Sequence, residues 1–291
     1  MKTVSVTLSM ALWVAGLSGL LNAAELQPDT VKAWNDYIGR ADAEMKARLD
    51  GRRPFLWTDE EPGRSSRLQL GKTVVAPYSG HGIESVPNGL IHHWIGAVFI
   101  PDATASSLVA VLRDYDRYKE FYKPTVADSK ALACTDKGER FSMIWQRHVL
   151  FVTAAIESQY QARSVAVNVR RGYYISTTTQ VREIADYGQS GEHFMTPGQG
   201  SGYIWRMHSI ARYEVRDGGI YFELEAIALS RDIPGSVRWL VSPVVNHLSI
   251  NSLTTSLRQT RDAVLTEEHG RLIGGVQGSR QPVYAKAGSE E

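Results

Sequence analysis

YIWRMHSIARYEVRDGGIYFELEAIALSRD occupies residues 203–232, and its reading decides the fold. Two runs of alternating character flank Asp217-Gly218. Asp-Gly at such a centre predicts a two-residue type I′ turn, because both positions need positive φ. Arg216 then faces Gly219, and the register follows outward. Tyr213 lies opposite Phe222, Ala211 opposite Leu224, Ser209 opposite Ala226, Met207 opposite Ala228 and Trp205 opposite Ser230. Those ten residues share one face, small at its centre and aromatic at its ends. The other face carries Arg206, His208, Arg212, Glu214, Glu223, Glu225 and Arg231. Arg212 directly across from Glu223 supports the register, since opposite charges at facing positions stabilise a hairpin.

A long apolar helix is expected next. Pro234 suits a first helical position, where its missing N–H costs nothing. Val237, Leu240, Val241, Val244, Leu248, Leu253, Leu257 and Val264 approximate one stripe. Pro243 is expected to interrupt it, with Ser242 as N-cap of the longer second piece. Such a helix should pack on the apolar face of the hairpin. Ser209, Ala211, Ala226 and Ala228 cannot fill the space between them. Either the helix sits close there or a cavity remains.

Of 291 residues, 43% are hydrophobic and 22% charged, with a net charge of +1. That is the composition of an ordinary globular protein, and its net charge offers no electrostatic handle for nucleic acid or an anionic membrane. Lys2, an apolar run through Leu21 and Ala23-Ala24 read as a secretory signal peptide over residues 1–24, an uncleaved anchor being the alternative. No cysteine follows the run, which argues against a lipoprotein. Cys134 is the only cysteine, so no internal disulfide framework exists and the core must carry stability.

Residues 25–70 hold an amphipathic helix (Val31, Trp34, Ile38, Ala41, Met45, Leu49) and a polar connection, anchored by Phe55, Leu56 and Trp57, running over the surface. From residue 71 to 266 we expect strands at Leu68–Tyr78 and Gly89–Ile100, then a helix over Ala105–Leu112. Further strands are expected at Val126–Cys134, Arg140–His148, Phe151–Ala162 and Tyr173–Val181. Ser164–Arg171 is ambiguous, and Ile184–Gly202 reads as a loop or flap. Residues 267–291 lose periodicity and read as a disordered tail.

The string WRMHSIARYEVRDGGIYFELEAIALSRDIPGSVRWLVSPVV, with DYDRYKEFYKP upstream, resembles the START-like superfamily of lipid-transfer domains, polyketide cyclases and birch-pollen-allergen-type proteins. The resemblance covers about residues 71–266. It implies an α+β helix-grip fold, a curved antiparallel sheet gripping a long C-terminal helix with an apolar cavity between them. It names no ligand.

The candidate cavity lining is Trp205, Met207, Ser209, Ala211, Tyr213, Phe222, Leu224, Ala226 and Ala228 from the hairpin, with Val244 and Leu248 from the helix. Aromatics in such a set are core residues more often than ligand platforms, although in a hollow fold the two roles overlap. Arg212 and Glu223 read as a structural, exposed ion pair worth under ~1 kcal/mol. Glu223 and Glu225 also resemble paired acid–base carboxylates, yet a salt-bridge ladder is the simpler account. The eight histidines show no zinc-site spacing, and no phosphate or dinucleotide motif is present. No metal or cofactor is expected. The expected partner is a hydrophobic small molecule such as a lipid, sterol or isoprenoid. A transient membrane contact fits that role, and no protein partner can be named. The location expected is outside the cell or in a bacterial periplasm. Two alternatives stand beside the carrier reading: a cyclase- or hydrolase-like enzyme using the same cavity, and a non-catalytic interaction module with a filled core.

Overall fold

The computed structural model describes residues 25–135, 138–149, 152–232 and 235–278. The turn at its centre forms as expected: Asp217 and Gly218 have φ of 54° and 78°. Strands β9 (Arg206–Arg216) and β10 (Gly219–Arg231) pair from Arg216↔Gly219 down to Met207↔Ala228 in the predicted register. Trp205 departs from it. Pairing ends at Arg206↔Leu229, and the Trp205 amide donates to the Leu229 carbonyl from an irregular segment.

The other strands are β1 (Val74–Pro77), β2 (Ile83–Val86), β3 (Gly89–Pro101), β4 (Val126–Thr135), β5 (Gly138–Val149), β6 (Val152–Ala166), β7 (Arg171–Ala185) and β8 (His193–Phe194). All pair antiparallel in one sheet of order β1-β3-β10-β9-β7-β6-β5-β4, with β2 on β3 and β8 on β7. The last hairpin made is thus inserted between β3 and β7. The ambiguous stretch 164–171 is the end of β6, a tight turn and the start of β7. Residues 184–202 are no free flap, because the Glu183 carboxylate accepts from the Ser201 amide (2.8 Å), the Ser201 hydroxyl (2.8 Å) and the Gly202 amide (2.9 Å).

Among the described residues five α-helices accompany the sheet: α1 (Pro28–Leu49), α2 (Arg64–Gln69), α3 (Ala105–Arg113), α4 (Tyr118–Phe121) and α5 (Gly235–Gly278). α2 occupies the start of the strand expected at Leu68–Tyr78. Thr104 and Ser107 close a capping box on α3. α5 corrects two expectations. It runs through Pro243 without a break, so Ser242 starts no second helix. It also continues past residue 266, held there by Glu268 accepting from the Thr104 amide and hydroxyl (2.9 and 2.6 Å) and by Glu267 pairing with Arg117 (2.7 Å). The expected signal segment 1–24, Pro234 and residues 279–291 of the expected tail lie outside the described residues. No helix among the described residues is long and apolar enough to cross a membrane.

The sheet is covered on both faces. α5 lies on the inner face, chiefly over β3. α1 and the connection after it lie on the outer face. Met45, Phe55, Leu56, Trp57 and Leu68 pack there against Ile95, Ala97, Tyr173, Ile210 and Tyr221. Leu56 and Leu68 are fully buried, so the Arg-rich connection is a structural layer rather than a surface crossing.

Candidate functional site: the inner face under the long helix

Along the inner face the rungs run across β9, β10 and β3. Tyr213, Phe222 and Val98 form one, then Ala211, Leu224 and Gly96, then Ser209, Ala226 and Trp94, then Met207, Ala228 and His92. α5 approaches most closely at Gly96. A Cβ there would sit 2.6 Å from Leu257 Cδ1 and 2.8 Å from Val75 Cγ2, so only glycine admits the helix.

Toward the turn, the space between sheet and helix is filled. Phe222, Tyr213, Val98, Leu253, Leu257 and Val264 are buried together with a stack in which Phe141 lies 4.3 Å from Tyr115 and 4.7 Å from Tyr160. Toward the other end the face is less fully covered. Met207, Ser209, Leu224, Ala226, Ala228 and Leu248 all keep part of their surface accessible. At the same rungs the outer face is sealed: Glu223 is 0% exposed, Glu225 2% and Ile227 1%. The charged face is shut and the small apolar face is the accessible one.

The structure therefore brings eight of the eleven candidate lining residues onto one face: Met207, Ser209, Ala211, Tyr213, Phe222, Leu224, Ala226 and Ala228. Leu248 is half-buried on α5, and the side chain of Val244 lies outside the described residues. Trp205 is a correction. It is buried in the outer layer with Trp34, Tyr37, Ala41, Ile91, Ile227 and Leu229, because the strand ends before it and alternation no longer sets its side.

Polar groups that periodicity did not single out also reach the inner face. The Ser176 and Ser209 hydroxyls meet at 2.8 Å, and Tyr160 accepts from Trp145 Nε1 (2.9 Å) while donating to Met207 Sδ (3.7 Å). His92 Nε2 lies 2.9 Å from Ser230 Oγ, whose proton goes to the Arg231 carbonyl, so His92 is the donor of that pair. Burial lowers the His92 pKa to about 4. Farther along, Glu139 accepts from Tyr115, which also meets Tyr174, and Arg113 pairs with the same carboxylate. Burial, with Glu139 adding to it, pushes the Tyr115 phenol well above its ordinary range. Beside this cluster a cleft of about 650 Å³ opens between α3 and β4, lined by Val109, Ala110, Arg113, Ala131 to Cys134 and Glu139.

The reading of Arg212 and Glu223 as an exposed pair is overturned. Both are fully buried under α1 and the connection. Arg212 lies 3.3 Å from Glu223 and 2.8 Å from Glu225. Glu223 also accepts from the Trp57 amide (2.9 Å) and from the amide and hydroxyl of Thr58 (2.6 Å each). Glu225 meets His93 Nε2 at 3.0 Å, and His93 Nδ1 meets the Tyr37 hydroxyl at 2.8 Å. Tyr78 stacks on His93 at 4.1 Å. Burial works to raise the Glu225 pKa, but Arg212 and His93 outweigh it and hold it at about 2. This network glues the outer layer to the sheet. Its carboxylates are all engaged, which leaves none for acid–base work. Among the described residues no group of three or more His, Cys, Asp or Glu is placed to hold a metal.

No family model matches the chain, and no curated protein matches it. Solved structures similar to it come from the START-like group that the sequence resembles. A STAR-related lipid transfer protein from Xanthomonas axonopodis is 18% identical over 66% of this chain and 98% of its own, with a TM-score of 0.40. Human STARD10 is 11% identical over 75% and 87%, with a TM-score of 0.41. The ZhuI aromatase/cyclase from Streptomyces sp. R1128 is 14% identical over 62% and 96%, with a TM-score of 0.38. The helix-grip architecture is read from the strand order, the register and the seat of α5.

Proposed function

We propose that this protein binds or carries a hydrophobic small molecule, of lipid, sterol or isoprenoid character, on the inner face beneath the first half of α5. One observation carries the reading: at Met207, Ser209, Leu224, Ala226 and Ala228 the apolar face stays accessible while the charged face behind it is sealed. Accessible apolar surface beneath a helix is a cost unless something fills it. We further propose that the protein acts after export, on the strength of residues 1–24.

The test is substitution at the alanines with two readouts. Ala226→Leu should leave the urea midpoint nearly unchanged and weaken uptake of a fluorescent fatty acid or sterol about tenfold, because the added atoms occupy ligand space. In a filled core the same change costs ~1–3 kcal/mol through overpacking. A steep loss of stability, with no uptake by the unmodified protein, refutes the carrier reading. Native mass spectrometry of protein from its own host should show a co-purifying lipid. Sequencing of the mature N-terminus should find it near Ala24 or Glu25, and an intact Met1 on soluble protein would refute the export proposal.

A second reading, acid–base catalysis, draws on Glu139 held against Tyr115 and Tyr174 beside the cleft under α3. It requires that Glu139→Gln abolish turnover of an added polyketide-like substrate while ligand uptake persists.

A further inference from the structure

The turn joining β6 to β7 has the wrong residues for a solvated loop. Its sequence is Ala166-Val167-Asn168-Val169-Arg170-Arg171, where Asn168 does the work of the turn by accepting from the amides of Arg170 and Arg171 (2.9 Å each). The valines on either side have no such work. Val169 is 92% exposed and Val167 41%. Among the large hydrophobic side chains described as exposed, Val169 is the most open. β-Branched side chains are disfavoured in turns, where Gly, Asn, Asp and Ser prevail. Two of them at a projecting tip cost solubility for no gain in the fold.

Arg170 at the tip is exposed, as is Arg163 farther down β6, and among the described residues no carboxylate pairs with either. Arg171 differs: it pairs with Glu214 at 3.0 Å and lies over Phe55 at 5.5 Å, so it anchors the base of the hairpin. The nearest other acids are engaged or set back. Asp217 accepts from Tyr221 (3.0 Å), and Asp42 stands in the cleft behind Arg163, 3.9 Å from His208 Nε2. An apolar tip with one unpaired guanidinium beside it and a second farther down the strand matches an anionic bilayer, whose phosphates take the arginines and whose acyl boundary takes the valines. It matches an acidic protein surface less well, since nothing concave on this tip would enclose a partner's side chains.

We propose that the β6–β7 hairpin tip is a docking point for an anionic membrane surface. The position suits the rest of the molecule. Rungs Glu139↔Ala162 and Arg171↔Glu214 put this tip at the same end of the sheet as the cleft under α3. Docking would turn that cleft toward the lipid. The inference stands on the tip alone and does not depend on the ligand proposal.

Co-sedimentation of the full chain with vesicles tests it. Mixed phosphatidylglycerol–phosphatidylcholine vesicles should retain the protein, phosphatidylcholine alone should not, and added salt should release it. Val169→Glu should weaken retention at least tenfold. Arg163→Gln and Arg170→Gln should each weaken it about fivefold. All three side chains are exposed, so circular dichroism melts of the variants should overlay that of the parent. Absence of binding to anionic vesicles overturns the proposal. So does binding that survives Val169→Glu and the double arginine variant unchanged. Retention by a protein partner that depends on these residues, without retention by vesicles, overturns it in favour of a protein interface.

Discussion

Replacing Arg212 by methionine tests whether the outer layer is real. The change keeps most of the side-chain volume and removes the one cation between Glu223 and Glu225. At 2.8 Å and an effective dielectric of about 20, the Arg212–Glu225 attraction is about 6 kcal/mol before desolvation is subtracted. Glu223 retains its three donors from Trp57 and Thr58, so it tolerates the loss. Glu225 keeps only His93, in a site 2% exposed. Removing one partner from such a buried pair typically costs about 3–5 kcal/mol. A surface pair would cost under about 1 kcal/mol. Urea denaturation at pH 7, monitored by tryptophan fluorescence, separates these ranges. Adding Glu225→Met should return part of the loss, because the stranded carboxylate goes with it, so the double variant should be more stable than the sum of the singles. A single-variant loss below about 1 kcal/mol, with additive singles, would refute a sealed outer face.

Acidification should destabilise the protein in two windows. Neutral His92, with its pKa lowered to about 4 from 6.5, contributes stability that is complete above pH 6.5 and lost between 6.5 and 4, worth about 3 kcal/mol. Glu225, lowered to about 2 from 4.5, contributes stability that is complete above pH 4.5 and lost between 4.5 and 2, of similar size. Urea midpoints measured from pH 8 to 3 should therefore fall from pH 6.5 onward. His92→Asn should make the upper window shallower without touching the lower one, since His208, also lowered by burial, keeps part of it; a midpoint level down to pH 4.5 would contradict the first step. Gly96→Ala should cost about 1–3 kcal/mol by pressing on Leu257 and Val75, with partial rescue by Leu257→Val. Equal losses with and without the rescue would mean that α5 is not seated there.

The hairpin was legible because two local signals agreed: Asp217-Gly218 set the turn, and Arg212 facing Glu223 set the register. What lay behind its charged face was not legible. Alternating Arg and Glu on a strand read as a solvated face, and nothing within 203–232 says otherwise. The covering layer sits more than 150 residues upstream, in a helix whose stripe of Trp34, Ala41 and Met45 declared that it packs without naming its partner. Alternation places Trp205 on the inner face, but the ladder ends one residue before it, at Arg206. The rule that proline interrupts a helix predicts a break at Pro243, which α5 does not obey. The accessibility of Ala226 and Ala228 is a tertiary property, and composition gave only its precondition, small side chains.

The grip of Glu223 on the amides of Trp57 and Thr58 spans 166 and 165 positions of chain. Synthesis proceeds from the N-terminus, so α1 and its connection are complete long before the carboxylate that fastens them exists. Through most of elongation, Trp34, Met45, Leu56 and Trp57 have only β3 to cover, without Ile210, Tyr221 and Ile227 of the hairpin. The first layer made is the last one closed. Contacts of such sequence separation are slow to form and leave apolar surface exposed meanwhile. A fragment begun at residue 71 would be no simpler version of the molecule. It would carry an arginine and two glutamates on a bare sheet, together with the apolar residues that α1 covers. The beginning and the end of this polypeptide are one folding unit, finished only once the last hairpin has been made.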